Sequence, residues 1–120
     1  MPASRDILIQ VEDVSAAASF YVRTLGLTEF LRTPLLIGLE AGALRLYLEQ
    51  GPPLGPVLEF FVPDLEAAKA DVRAAGGDIL DENPAIPRCY VRDAFGLVYN
   101  LAERKLAEPA PAEEIEAEGV

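Results

Sequence analysis

The chain has 120 residues, 51% of them hydrophobic and 25% charged, which is the composition of one globular domain and excludes a disordered or fibrous chain. Twenty acidic residues against ten basic ones, with no histidine, give a formal net charge of −10, which argues against nucleic acid as a partner. No apolar run approaches the roughly 20 residues of a membrane span, Met1 to Arg5 lead into no signal-peptide core, and a lone cysteine, Cys89, allows no internal disulfide; the expectation is a cytoplasmic protein with no membrane partner.

In chain order, Ile7 to Val11 reads as an apolar strand, and Asp13 is placed to cap a helix. That helix runs from Val14 to Leu25, with Val14, Ala17, Ala18, Tyr21 and Leu25 at helical spacing and Gly26 closing it. Three short strands follow at Thr28 to Arg32, Leu35 to Glu40 and Ala43 to Glu49, with Ala41-Gly42 as a turn. The Gly/Pro-rich stretch Gln50 to Pro56 reads as a stiff linker. Val57 to Val62 is the next strand, Asp64 the next cap, and Leu65 to Ala75 the next helix. Its Leu65, Ala68, Val72 and Ala75 form one apolar stripe, leaving Lys69, Asp71 and Arg73 to face water. Strands at Asp78 to Asp81, Arg88 to Arg92 and Leu97 to Ala102 complete the series, the last two joined by Asp93-Ala94-Phe95-Gly96. The Ala/Pro/Glu segment 106–120 has too few large apolar groups to fold alone and is expected to be a flexible acidic tail.

The two halves repeat. Val11-Glu12-Asp13-Val14 returns as Val62-Pro63-Asp64-Leu65, and the same shift lays Ala16 and Ala17 on Ala67 and Ala68, and Gly26 on Gly77. The order is βαβββ, linker, βαβββ: one domain over residues 1–105, with module one at 5–50, the linker at 51–56 and module two at 57–104.

The motifs Val11-Glu12-Asp13 with Ser19 to Leu27, Val62 to Ala68, Ala74 to Gly77, and Val91 to Leu97 carry a family resemblance. Over roughly residues 6–102 the sequence is similar to the vicinal oxygen chelate superfamily of glyoxalases, bleomycin-resistance proteins and extradiol dioxygenases. The resemblance implies an α+β fold in which the two βαβββ modules form a curved half-barrel sheet around a cavity, and it implies a homodimer. It also implies that a divalent metal, where members use one, takes two ligands from each module. Counting equally from Asp13 and Asp64 puts these at Asp6 and Val57, and counting equally from Gly42 and Gly96 puts them at Leu46 and Asn100. Leu46 and Val57 have no donor atom and the chain has no histidine, so neither a metal nor another cofactor is expected.

Strand alternation then names a cavity lining. Asp6, Leu8 and Gln10 point inward from the first strand, Val57, Glu59 and Phe61 from the fifth, and Leu44, Leu46, Leu48, Val98 and Asn100 from the closing strands. Arg88 and Tyr90 complete the candidate ligand-binding set, while Tyr47 and Tyr99 have outward parity. Tyr90 and Phe95 are candidates to stack on a planar ligand, beside the ordinary role of aromatics in packing. Glu59 stands out, because a carboxylate between Val57 and Phe61 marks either a functional anion, a water-exposed edge, or a structural pair with Arg88 or Arg92. No catalytic residue is assigned, and Cys89 lacks a histidine to activate it.

Two functional classes follow. The first is a metal-independent protein resembling bleomycin-resistance proteins, sequestering a small organic ligand, cationic or aromatic. The alternative is a glyoxalase- or dioxygenase-type enzyme, a lyase, isomerase or ring-cleaving oxygenase, either metal-dependent or using Glu59 with Asp6 or Tyr90 as acid and base. A degenerate interaction module is a third possibility, and fold alone does not decide among them.

Overall fold

The computed structural model describes residues 3–104; the expected acidic tail at 106–120 lies outside them. The described elements are β1 (Asp6–Val11), α1 (Val14–Leu25), β2 (Thr28–Arg32), β3 (Leu36–Glu40), β4 (Arg45–Gln50), β5 (Leu54–Val62), α2 (Leu65–Ala74), β6 (Asp78–Asn83), β7 (Arg88–Arg92) and β8 (Val98–Glu103). The βαβββ series thus occurs twice. Much of the expected linker is strand, since β5 begins at Leu54.

Local chemistry sets both helices. Asp13 accepts from the Ala16 N–H at 2.9 Å and Asp64 from the Ala67 N–H at 3.0 Å. Each such cap contributes about 1 kcal/mol of helix stability. Gly26 ends α1 in the left-handed conformation at φ 74°. Repeat alignment pairs Gly26 with Gly77, but in module two the left-handed residue is Gly76, at φ 102°. Gly77 answers a steric demand instead, since a Cβ there would lie 2.6 Å from the Arg92 carbonyl oxygen and 2.8 Å from Val72 Cγ1. It lets the chain leaving α2 cross closely over the end of β7.

All eight strands join one mixed sheet in the order β2-β3-β4-β1-β5-β8-β7-β6. Within each module the first strand runs parallel to the last, β1 with β4 and β5 with β8, and the other pairs are antiparallel. The modules meet through their first strands, antiparallel β1 and β5. This corrects the expected curved half-barrel: the sheet is open and is neither closed nor curled around a cavity, with β2 and β6 as its free edges. The join through first strands sends the remaining strands of the two modules outward in opposite directions, so the outer strands do not pair.

Each module has its own core. Val14 and Ala18 of α1 pack on Ile37, Leu39 and Leu48, while Leu65, Ala68 and Val72 of α2 pack on Cys89, Val91 and Leu101. Lys69, expected to face water, is 7% exposed. Its ammonium reaches Glu82 on β6 and Glu66 at 3.2 Å, and the Glu82 contact foremost holds its pKa above the ordinary lysine value, against burial. No helix among the described residues is long and apolar enough to cross a membrane.

Gly77→Ala is expected to destabilise the protein by about 1–3 kcal/mol, because the added methyl meets backbone that cannot yield cheaply. Urea denaturation checks this.

Candidate functional site

A cleft of about 150 Å³ opens on the sheet face away from the helices, at the junction of the modules. β1 supplies Asp6, Ile7 and Leu8, and β5 supplies Val57, Leu58 and Glu59; Tyr47 comes from β4, Tyr90 from β7 and Asn100 from β8. Register explains the convergence. Leu8 pairs with both Tyr47 and Val57, Glu59 pairs with Asn100, and Asn100 pairs with Tyr90. Residues paired across strands share a face, so these side chains are brought together by strand geometry.

Six of the ten expected ligand-binding residues line the cleft: Asp6, Leu8, Val57, Glu59, Tyr90 and Asn100. The other four lie elsewhere. Leu46 pairs with Ile7 and packs against the α1 core, on the opposite face. Gln10 donates its amide to Glu49 Oε1 at 2.9 Å. The Arg104 guanidinium lies 3.8 Å from the Phe61 ring centroid. Arg88 stacks on Tyr90 from beyond the lining, its guanidinium 4.7 Å from the ring centroid. Phe95 is 93% exposed in its turn.

Tyr47 shows that β4 has the opposite parity from the expected one, with Leu46 and Leu48 on the helix face. The signal was present in the strand. Arg45, Tyr47 and Glu49 alternate with Leu46 and Leu48, a plain polar-out, apolar-in pattern that outweighs counting from Gly42.

The polar groups of the cleft differ in how they are satisfied. Asp6 Oδ1 accepts from Arg45 Nε at 2.8 Å, and this bond foremost raises the arginine pKa, so the two charges compensate each other. Asn100 accepts the Cys89 N–H at 2.7 Å, which fixes its amide so that Nδ2 donates to Glu59 Oε2 at 3.2 Å. None of the ion pairs found between described residues includes Glu59. Arg88, one of its two expected partners, pairs instead with Glu49 at 2.7 Å and Asp81 at 3.3 Å. Tyr90 is 5% exposed, and its hydroxyl makes no hydrogen bond to another described residue. Burial raises its phenol pKa, Arg88 opposes this, and Glu49, Asp81 and Glu59 add to the rise. Burial likewise pushes up the thiol of Cys89, which is packed in the core under α2.

Neither a protein-family model nor a curated protein matches the chain. Solved structures do. A glyoxalase/bleomycin resistance protein/dioxygenase superfamily member from Vibrio splendidus 12B01 matches with a TM-score of 0.58 at 18% identity, over 82% of this chain and 96% of its own. A hypothetical protein from Bacillus halodurans C-125 gives 0.57 at 20% identity, over 88% and 96%. Streptomyces coelicolor methylmalonyl-CoA epimerase, in complex with 2-nitronate-propionyl-CoA, gives 0.56 at 20% identity, over 89% and 99%. The chain has the vicinal oxygen chelate fold.

The positions at which vicinal oxygen chelate members that use a metal would hold it, as the resemblance places them, do not fit a metal here. Leu46 faces the core, Val57 has no donor, Asp6 is engaged by Arg45, and the Asn100 carbonyl is committed to the Cys89 N–H. No group of three or more His, Cys, Asp or Glu side chains among the described residues is arranged to hold an ion. Elemental analysis of the purified protein is therefore expected to find no stoichiometric transition metal, and chelators to leave its Tm unchanged.

The raised Tyr90 phenol gives a pH dependence of defined sign. Its neutral form is favoured in the folded protein, so the stability it contributes is full below the ordinary tyrosine value of about 10 and is lost as pH rises through Tyr90's own, higher value. Tyr90→Phe should remove a late component from the ultraviolet titration of phenolate and flatten the alkaline fall in Tm.

Proposed function

We propose that the protein binds a small organic ligand in the β1–β5 cleft through its own side chains, without a protein-held metal, and that the ligand carries positive charge. Glu59 carries this reading: it is a half-buried carboxylate among apolar neighbours with, among the described residues, one side-chain partner, an amide, and no cation. A carboxylate drawn out of water is stabilised by a compensating charge or by donors, and a ligand cation supplies both. The aromatic walls add to the attraction, because a cation over a Tyr ring is favoured by its quadrupole, and Tyr90 already holds the Arg88 guanidinium in this way. The cleft is smaller than the roughly 300 Å³ at which drug-sized pockets begin, which fits a small ligand or one end of a larger one.

An enzyme is the second reading. It is supported by Glu59 and the free Tyr90 hydroxyl facing one cleft, a carboxylate and a phenol placed for proton transfer on a bound substrate. In either case we take the protein to act in the cytoplasm as a homodimer. Exposed Phe30, Leu31 and Leu35 at the β2 edge support the pairing, and sedimentation tests it.

Thermal-shift and calorimetric screening of small organic ammonium and guanidinium compounds, each beside a neutral isostere, tests the main reading. The cations should bind and the isosteres should not, and Glu59→Gln should weaken binding on the order of tenfold or more. The same variant should melt at or above the wild-type temperature, because no arginine loses a partner and the new amide still accepts from Asn100. Equal binding of cation and isostere, or no effect of Glu59→Gln, would sink the proposal.

A further inference from the structure

The two modules share little besides the ladder between their first strands. Their cores are separate clusters, with α1 lying on β2, β3 and β4 and α2 on β6 and β8. The β1–β5 ladder is itself irregular, its register shifting between Leu8 and Gln10. Each module is therefore internally packed, and they meet along the β1–β5 ladder, extended by the bridge of Ala3 to Phe60.

One ion pair crosses that seam. Of those found between described residues, Arg5–Glu40, Arg32–Glu29 and Arg45–Asp6 lie within module one, and both Lys69 pairs and Arg88–Asp81 lie within module two. Arg88–Glu49 alone joins the two, linking β7 to β4, which are four places apart in the sheet.

Both partners are braced. Glu49 accepts from Gln10 at 2.9 Å, while Arg88 also donates to Asp81 at 3.3 Å and lies over the Tyr90 ring. The side chains are 18% and 23% exposed, so salt screens the pair less than it would one on open surface. Burial works against the Arg88 charge, but the Glu49 bond and its other neighbours more than offset it.

We propose that Glu49–Arg88 is a clasp that fixes the two modules relative to one another at the end of the cleft. Opening it lets them turn about the β1–β5 seam as rigid bodies, in the manner of domain hinges whose motion is absorbed by a few residues. Because Tyr47 lines the cleft from module one and Tyr90 from module two, the same motion changes the distance between those two walls. The clasp thereby governs how wide the cleft stands. This inference concerns the mechanics of the sheet and holds whatever the ligand's charge.

Paired nitroxide labels on the two helices test it, at Arg23→Cys on α1 and Ala70→Cys on α2, both exposed positions. Double electron–electron resonance on the full chain should give one narrow distance distribution. Adding Arg88→Gln should broaden it and shift its mean by several ångström, while Arg88→Lys, which keeps the charge, should shift it less. Circular dichroism at the labelling temperature verifies that each variant is folded. If Arg88→Gln does not fold, Glu49→Gln breaks the same pair while leaving Arg88 its Asp81 partner. A variant that melts earlier yet keeps the wild-type distances would overturn the clasp and leave the pair a merely stabilising contact.

Discussion

The pairing of β1 with β4 on one side and with β5 on the other is the constraint on which the cleft depends. Side chains alternate with a period of two, so the parallel register that sets Asp6 beside Arg45, Leu8 beside Tyr47 and Gln10 beside Glu49 commits all six to one face. The same register sends Ile7 with Leu46, and Ile9 with Leu48, to the other face, where α1 covers them. A slip of one residue in β4 would expose two core leucines and bury an arginine and a glutamate. That cost is why the arrangement is unique, and it ties the cleft's chemistry to the packing behind it.

What could be read from the sequence was what local interactions decide. The aspartate caps, the apolar stripe of α1, the strand series and the repeat depend on residues a few positions apart, and the structure places them within a few residues of expectation. Strand alternation also located β1 and β5 correctly, so that Asp6, Leu8, Val57 and Glu59 could be named together. It failed on β4, where a count from the Gly42 turn displaced the alternation written in Arg45 to Glu49. Lys69 was misplaced because its partner Glu82 lies on another element. The course of the whole sheet was not legible at all. It follows from how two modules join, and the family resemblance did not determine that join.

The polar groups of the cleft are largely engaged by the protein itself. One end of the Asn100 amide closes a hydrogen bond with the neighbouring strand, and the other donates to Glu59. Asp6 is half of an ion pair with Arg45. Of the two acidic groups, Glu59 forms no ion pair with another described residue, and its side-chain hydrogen bond comes from the Asn100 amide. Leu8, Val57 and the two tyrosines give the cleft apolar walls around it.

The open sheet leaves two strands with unpaired backbone groups, and the duplication has not made them alike. β6 reads Asp78-Ile79-Leu80-Asp81-Glu82-Asn83, three acids on an outermost strand, whereas β2 carries Glu29 and Arg32 locked together beside exposed Phe30 and Leu31. Two of those acids are paired, Glu82 with Lys69 and Asp81 with Arg88, so the charges of both rims are largely offset within the molecule. What sets the rims apart is the exposed apolar pair on β2, because charged side chains on an edge strand are a common safeguard against stacking of sheets into fibrils. Growth of the sheet by a second copy is therefore better guarded against at β6 than at β2.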